Sequence, residues 1–149
     1  MTQRGRPLPQ PTPETKAFWD GCRRGELLLP RCRDCSRFHF YPRSLCPYCW
    51  STSLDWVNTS GRGRLYSYVI NHRPAPGFED RAPYIIAIVD LEEGVRMLSN
   101  LVGVEPDPSM VFLDMPVEVT FEEASDDITL PLFKPIGDVK SEAAVQPEP

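Results

Sequence analysis

Residues 32–49 read CRDCSRFHFYPRSLCPYC, which gives two Cys-x-x-Cys pairs with ten residues between them. Each pair lets two sulfurs of one tight turn point the same way, and the spacer is long enough for a short hairpin that brings the two turns together. Four sulfurs then form a tetrahedral site suited to Zn²⁺. The sequence therefore predicts a zinc ribbon with Cys32, Cys35, Cys46 and Cys49 as ligands. Because sulfur fills all four positions, we expect the zinc to be structural.

Two other interpretations of these cysteines are weaker. Disulfides would crowd four thiols into one cluster and leave Cys22 over. A redox Cys-x-x-Cys motif is expected once, at the start of a helix, whereas Pro30 and Pro42 flank hairpin-like sequence here. His39 could replace a ligand, but with four cysteines present we expect a surface or packing role for it. Cys22 is most simply a small buried apolar residue.

Length and charge limit the class of protein. A chain of 149 residues suits one ordinary domain or two small modules. Residues 1–64 hold 11 Lys and Arg against 5 Asp and Glu, and residues 65–149 hold 5 against 16. The basic half could meet an anionic ligand or partner, or it could simply be solvated surface.

No apolar run reaches the roughly 20 residues of a membrane span, and residues 1–13 lack the apolar core of a secretory signal. With thiols kept for metal, we expect a cytoplasmic protein without a membrane partner.

Before the cysteines, the sequence predicts a loose arm over residues 1–11 and one helix. We expect Thr12 to be the N-cap and Pro13 to be the first helical residue. The helix is predicted to end at about Arg24, because Gly25 follows. The face that needs a neighbour carries Ala17, Phe18, Gly21 and Cys22, with Trp19 at its edge.

After the helix the pattern is that of short strands. Residues 27–29 lead into the first knuckle, and residues 38–41 are predicted to return as a strand to the second. Five further strands are predicted at residues 65–70, 84–91, 95–102, 117–121 and 130–133, the last a short strand or edge segment limited by its proline. Gly94 supplies the positive φ of the hairpin between the second and third of these five strands.

The predicted fold is therefore small and mainly β, with an N-terminal helix, a four-cysteine zinc ribbon and a five-stranded OB-fold barrel. The expected divisions are residues 1–26 for the arm and helix, 27–58 for the ribbon, 59–135 for the barrel and 136–149 for a disordered tail.

Catalytic motifs are missing from the sequence. No Gly-rich phosphate loop follows a strand, no Gly-x-Ser-x-Gly elbow occurs, and neither His39 nor His72 sits in a nucleophile motif. The pattern indicates a binding or scaffolding module and not a self-sufficient enzyme.

Several segments in order resemble one known family. They are Phe18-Trp19, residues 25–32 (GELLLPRC), residues 46–49 (CPYC), residues 61–68 (GRGRLYSY), Pro83-Tyr84, Asp90-Leu91, residues 115–117 (MPV) and residues 130–135 (LPLFKP). Together they are similar to the zinc-ribbon (rubredoxin-like) plus OB-fold family associated with acyl-CoA enzymes, formerly a domain of unknown function. The resemblance covers about residues 14–135. Family knuckles usually carry glycine after the second cysteine of each pair, where Ser36 and Trp50 stand here.

The resemblance implies a non-catalytic accessory subunit that docks on a thiolase-fold enzyme and helps form its acyl-CoA site. The favoured partner reaction is C–C bond cleavage or formation on a CoA thioester, such as that of a steroid side-chain aldolase or lyase. The alternative within this family is an accessory subunit of a MaoC-like enoyl-CoA hydratase.

Seven residues are candidates for contacts with the partner or with acyl-CoA. Large rings are expected at the partner interface, namely Phe18 and Trp19 on the helix, and Phe78 and Tyr84 in the loop between the first two barrel strands. Guanidinium groups that could contact the phosphates or pantetheine arm of CoA are Arg43, Arg73 and Arg81. For each arginine, an ordinary surface charge remains the alternative.

Two further functions fit a zinc ribbon beside an OB barrel. A single-stranded nucleic-acid module is one, but it calls for a basic barrel with exposed stacking rings, and residues 65–149 are strongly acidic. A stand-alone acyl-CoA carrier is the other, and it predicts a well-behaved monomer when the chain is expressed alone.

Overall fold

The computed structural model describes residues 5–137. These residues form one helix and seven strands, which are α1 (Lys16–Arg23), β1 (Leu28–Cys32), β2 (Leu54–Asn58), β3 (Arg62–Asn71), β4 (Tyr84–Leu91), β5 (Arg96–Leu101), β6 (Pro116–Glu123) and β7 (Thr129–Pro135). The predicted disordered tail lies outside the described residues, apart from positions 136 and 137. No helix within residues 5–137 has the length and apolarity that crossing a membrane requires.

Helix α1 begins three residues later than the sequence predicted. Thr15, and not Thr12, precedes the first helical residue, and its side chain makes no capping hydrogen bond. The Thr15 hydroxyl instead accepts a hydrogen bond from the Thr12 N–H (2.8 Å), while the Thr12 carbonyl accepts from the Lys16 N–H (2.8 Å). Residues 12–15 therefore form a separate turn that leads into the helix.

The end of α1 is as predicted. Gly25 has a φ of +77°, its N–H donates to the Cys22 carbonyl (3.1 Å), and the Glu26 N–H donates to the Gly21 carbonyl (2.8 Å). This pair of bonds is a Schellman motif, which satisfies the last helical carbonyls and needs a left-handed residue at the position of Gly25.

The zinc ribbon is built on β1 and β2, which pair antiparallel from Leu28↔Asn58 to Cys32↔Leu54. The predicted return strand over residues 38–41 is wrong, because only the single bridge Arg31↔Phe38 forms there. Pro30 has no N–H to extend a ladder on that edge of β1, and Pro42 follows closely after the bridge. The partner of β1 therefore comes from beyond the second knuckle.

All five predicted barrel strands are present, and they close into a barrel in the order β3-β4-β5-β7-β6. The parallel contact between β5 and β7 is a single pair, Leu101↔Phe133, whereas β6 and β7 pair over seven positions. The Pro131 carbonyl accepts a hydrogen bond from the Ser99 hydroxyl (2.8 Å), which joins the two strands where their backbones do not pair. The prediction of a short strand or edge segment is wrong, because β7 spans seven residues, pairs with β6 on both sides of Pro131 and lies inside the closed barrel.

One hydrophobic core joins the helix to the barrel. Phe18 and Trp19 are only 1% and 7% exposed, and they pack in the same cluster as Leu65, Val117 and Phe133. The two rings meet edge to face, with centroids 4.9 Å apart. The predicted apolar face of α1 is confirmed, but its rings are buried within this chain.

Candidate functional site

The four predicted ligands come together at one point. All four sulfurs lie within 4.8 Å of one another, with 3.5 Å between the sulfurs of Cys32 and Cys49 and 3.6 Å between those of Cys35 and Cys46. Tetrahedral zinc with Zn–S bonds of about 2.3 Å separates its sulfurs by about 3.8 Å, and the two distances of 3.5 and 3.6 Å lie close to that value. The cysteines are free thiols and not disulfides. They are therefore placed to bind a structural zinc ion.

The backbone also favours metal binding at the knuckles. The N–H groups of Cys35 and Asp34 lower the pKa of the Cys32 thiol to about 7, against the opposing effect of burial. The Tyr48 N–H donates to the Cys46 sulfur at 3.4 Å. Because the thiolate is the form that binds metal, such N–H groups stabilise the ligands in their binding form.

His39 and Cys22 are both buried outside the sulfur cluster. His39 is 2% exposed, and within the described part of the chain neither ring nitrogen has a hydrogen-bond partner. Burial, with the charge of Arg43, lowers the pKa of His39, so the ring is neutral and serves in packing. Burial raises the pKa of Cys22 to about 12, which makes this thiol unreactive.

A second site, here called the loop cleft, lies beside the loop between β3 and β4. Its volume is about 310 Å³, and its lining is mostly apolar. The lining residues are Arg6, Phe78, Arg81, Pro83, Tyr84, Ile85, Asn100, Leu101, Val102, Gly103, Val104, Pro106, Glu122 and Leu132.

The loop cleft brings together three of the seven residues that the sequence singled out. Phe78 and Tyr84 face each other with ring centroids 5.7 Å apart, and Arg81 lines the same cleft. Tyr84 is the first residue of β4 and not part of the loop. Its hydroxyl accepts a hydrogen bond from the Asn71 amide (2.8 Å), and the Asn71 side-chain oxygen accepts from the Arg73 N–H (3.1 Å). Arg73 thus sits on the same loop without lining the cleft.

The other candidates lie elsewhere. Arg43 is exposed in the ribbon and does not line the loop cleft. Phe18 and Trp19 are core residues of this chain, and their part in a partner interface stays a prediction. They line the floor of a separate groove of about 320 Å³, which Tyr41 and Leu98 also border.

Two charged residues of the loop cleft, Arg6 and Glu122, were not anticipated from the sequence. Arg6 belongs to the arm predicted to be loose, yet its Nη2 atom lies 2.7 Å from Glu122 Oε1 and its side chain is 13% exposed. Arg81 Nη2 reaches the same oxygen at 3.1 Å. Partial burial would raise the pKa of Glu122, but the hydrogen bonds and charges of Arg6 and then Arg81 outweigh it and lower that pKa. Nothing in the local sequence signals a pairing across 116 positions.

Comparisons with known proteins agree with this architecture. Residues 19–55 match the ChsH2 rubredoxin-like zinc ribbon domain, and residues 56–122 match the ChsH2 C-terminal OB-fold domain. A DUF35 domain-containing scaffold protein of Methanocaldococcus jannaschii is 37% identical over 102 residues, covering 68% of this chain and 71% of the relative. The chain belongs to this family of zinc-ribbon and OB-fold proteins.

Relatives with more specific names come from enzyme complexes. A probable enoyl-CoA hydratase alpha subunit of Thermomonospora curvata is 40% identical over 80% of this chain, which spans only 37% of that subunit's length. The benzoylsuccinyl-CoA thiolase subunit BbsA of Thauera aromatica is 33% identical, covering 65% of this chain and 64% of the relative. A chain of the solved Ltp2-ChsH2(DUF35) aldolase superposes with a TM-score of 0.75 at 35% identity, covering 86% of this chain and 98% of that one.

Proposed function

We propose that this chain is a non-catalytic accessory subunit that docks on a thiolase-fold enzyme and helps to form its acyl-CoA site. The observation that carries this proposal is the likeness to the Ltp2-ChsH2(DUF35) aldolase, because this chain covers nearly the whole of the matched chain. The favoured partner reaction is C–C bond cleavage or formation on a CoA thioester, such as a steroid side-chain aldolase or lyase reaction. We further propose that the protein works in the cytoplasm, since its cysteines serve as metal ligands.

The proposed division of labour follows from the two sites. The zinc ribbon holds the two knuckles together next to the paired strands β1 and β2. A zinc ion bound by four sulfurs has no free coordination position for substrate. The loop cleft presents Phe78, Arg81 and Tyr84 on one surface, which suits contact with a partner and with the charged arm of a CoA thioester. The partner then supplies the catalytic residues.

Co-purification tests the docking step. The full chain with an affinity tag, expressed in its native host, is expected to retain a thiolase-fold subunit through size-exclusion chromatography, with mass spectrometry identifying it. The reconstituted pair should cleave or form a C–C bond on an acyl-CoA, and this chain alone should not. Turnover of a thioester by the isolated chain would reject the accessory role.

Calorimetry on the complex tests the acyl-CoA contacts. Arg73→Ala and Arg81→Ala are expected to weaken binding of the CoA thioester, each by about tenfold if a charge-assisted bond to phosphate is lost. Arg23→Ala is the matched control, because Arg23 is exposed at the end of α1 and does not line the cleft. Unchanged affinity in both loop variants would reject the assignment of these arginines to CoA.

An accessory role with an enoyl-CoA hydratase is the second candidate. The identity of 40% to a hydratase alpha subunit favours it. Assays of the purified complex for hydration of an enoyl-CoA and for C–C bond cleavage of a hydroxyacyl-CoA separate the two roles, because each predicts activity in one assay only.

A further inference from the structure

The N-terminal arm is a fixed wall of the loop cleft. A Cβ atom built on Gly77 would come within 2.6 Å of the Arg6 Cα atom, so the arm runs directly against the β3–β4 loop at this glycine. The Arg6 side chain then turns inward to Glu122 and is nearly buried.

The cleft also carries an excess positive charge. Its charged lining residues are Arg6, Arg81 and Glu122, whose formal charges leave +1 in an otherwise largely apolar space. Each guanidinium donates to Glu122 through a single nitrogen, at 2.7 and 3.1 Å. Because a guanidinium has five N–H donors, both arginines keep donors for a further acceptor.

We propose that the loop cleft binds an amphipathic anion, a molecule with an apolar body and one terminal carboxylate or phosphate group. Arg6 and Arg81 hold the anionic group, and Glu122 neutralises one of their two positive charges. The apolar lining takes the body of the ligand and excludes water, which strengthens charge-assisted hydrogen bonds at the rim. The loop cleft is also the surface that the proposed function gives to the partner and to CoA, but anion binding by the isolated chain is a separate property that needs no partner subunit.

Titration calorimetry of the zinc-loaded full chain tests the proposal with three probes of equal chain length. Decanoate and decyl phosphate are expected to bind more tightly than 1-decanol, and the tighter anion identifies the terminal group that the cleft prefers. Arg6→Gln should weaken both anions about tenfold, as expected for a lost hydrogen bond between charged groups, and leave 1-decanol unchanged. Arg23→Gln should change neither.

Two further variants separate an anion site from a merely structural ion pair. Glu122→Gln raises the formal charge of the cleft from +1 to +2 and is expected to tighten anion binding, whereas loss of a purely structural anchor would weaken it. Gly77→Ala displaces the arm without changing any charge, and it should weaken the binding of both anions, as Arg6→Gln does. The proposal is overturned if 1-decanol binds as tightly as decanoate, or if Glu122→Gln weakens the binding of the anions. It is also overturned if Arg6→Gln and Gly77→Ala both leave anion binding unchanged. A failed search for a partner subunit would not affect these results.

Discussion

Ser36 and Trp50 occupy the same position in the two zinc knuckles, and both are left-handed with a φ of +65°. The Ser36 N–H donates to the Cys32 carbonyl at 2.9 Å, and the Trp50 N–H donates to the Cys46 carbonyl at the same distance. The knuckle turn therefore requires a left-handed residue after its second cysteine. Glycine adopts this conformation freely, whereas side chains with a Cβ are strained.

Replacement of these residues by glycine should stabilise the ribbon. We expect Trp50→Gly to raise the free energy of unfolding of the zinc-loaded protein by about 1 kcal/mol, because it relieves a left-handed Cβ. Trp50 is 80% exposed, so little packing is lost with its ring. Trp50→Ala is the control, since it removes the ring and keeps the strain. Urea denaturation of wild type, Trp50→Gly and Trp50→Ala measures the three free energies of unfolding. Equal changes for glycine and alanine would refute the role of backbone strain.

Loss of one sulfur should abolish the metal site. We expect wild type to hold one zinc per chain by elemental analysis, and Cys46→Ser to hold clearly less, because three thiolates and a hydroxyl bind zinc poorly. Cys22→Ser also alters a buried cysteine, but Cys22 lies outside the sulfur cluster and this variant should keep its zinc. Full zinc content in Cys46→Ser would show that the cluster is not the binding site.

The close approach of β3 to β4 leaves no room for a side chain at Gly63. A Cβ atom there would lie 2.2 Å from the Asp90 carbonyl oxygen, a backbone atom that cannot move without breaking the pairing Gly63↔Leu91. We expect Gly63→Ala to lower the free energy of unfolding by about 3 kcal/mol, at the upper end for overpacking. Gly5→Ala, which meets nothing within 4 Å, should cost little. Thermal unfolding measures both variants, and equal losses of stability in Gly63→Ala and Gly5→Ala would contradict the prediction.

Glu122 should make stability depend on pH in acid. Its pKa in the folded protein is lowered from the ordinary value of 4.5. The stability it contributes through Arg6 and Arg81 is therefore present above pH 4.5 and is lost as the pH falls through the lowered pKa. We expect Glu122→Gln to be less stable than wild type at pH 7 by about 1 kcal/mol, and the difference to vanish in stronger acid. A difference that stays constant from pH 7 to pH 3 would contradict the assignment.

The barrel should not bind nucleic acid. Residues 65–149 hold 16 acidic against 5 basic residues, so the half of the chain that carries the barrel repels a polyanion. Filter binding with single-stranded RNA at physiological salt is expected to detect no complex. Tight, salt-sensitive binding would favour a nucleic-acid module over an accessory subunit.

Much of the fold follows from local patterns in the sequence. The zinc ligands are set by two Cys-x-x-Cys pairs, and the barrel strands by alternating and β-branched runs such as residues 84–91. Both signals need only a few neighbouring residues. The predicted return strand at residues 38–41 failed because its apolar residues resemble a strand, while pairing depends on donors that Pro30 does not have.

The sequence by itself determined the metal ligands, the end of α1 at Gly25 and the number of barrel strands, since each depends on short-range backbone geometry or periodicity. Only the tertiary structure decided that Phe18 and Trp19 are buried against the barrel of this chain, and that Arg6 and Arg81 meet at Glu122. The closed barrel brings together an N-terminal arm, a loop and the end of β6, segments that are distant in sequence. Contacts of that kind leave no local pattern, because they depend on how the whole chain packs.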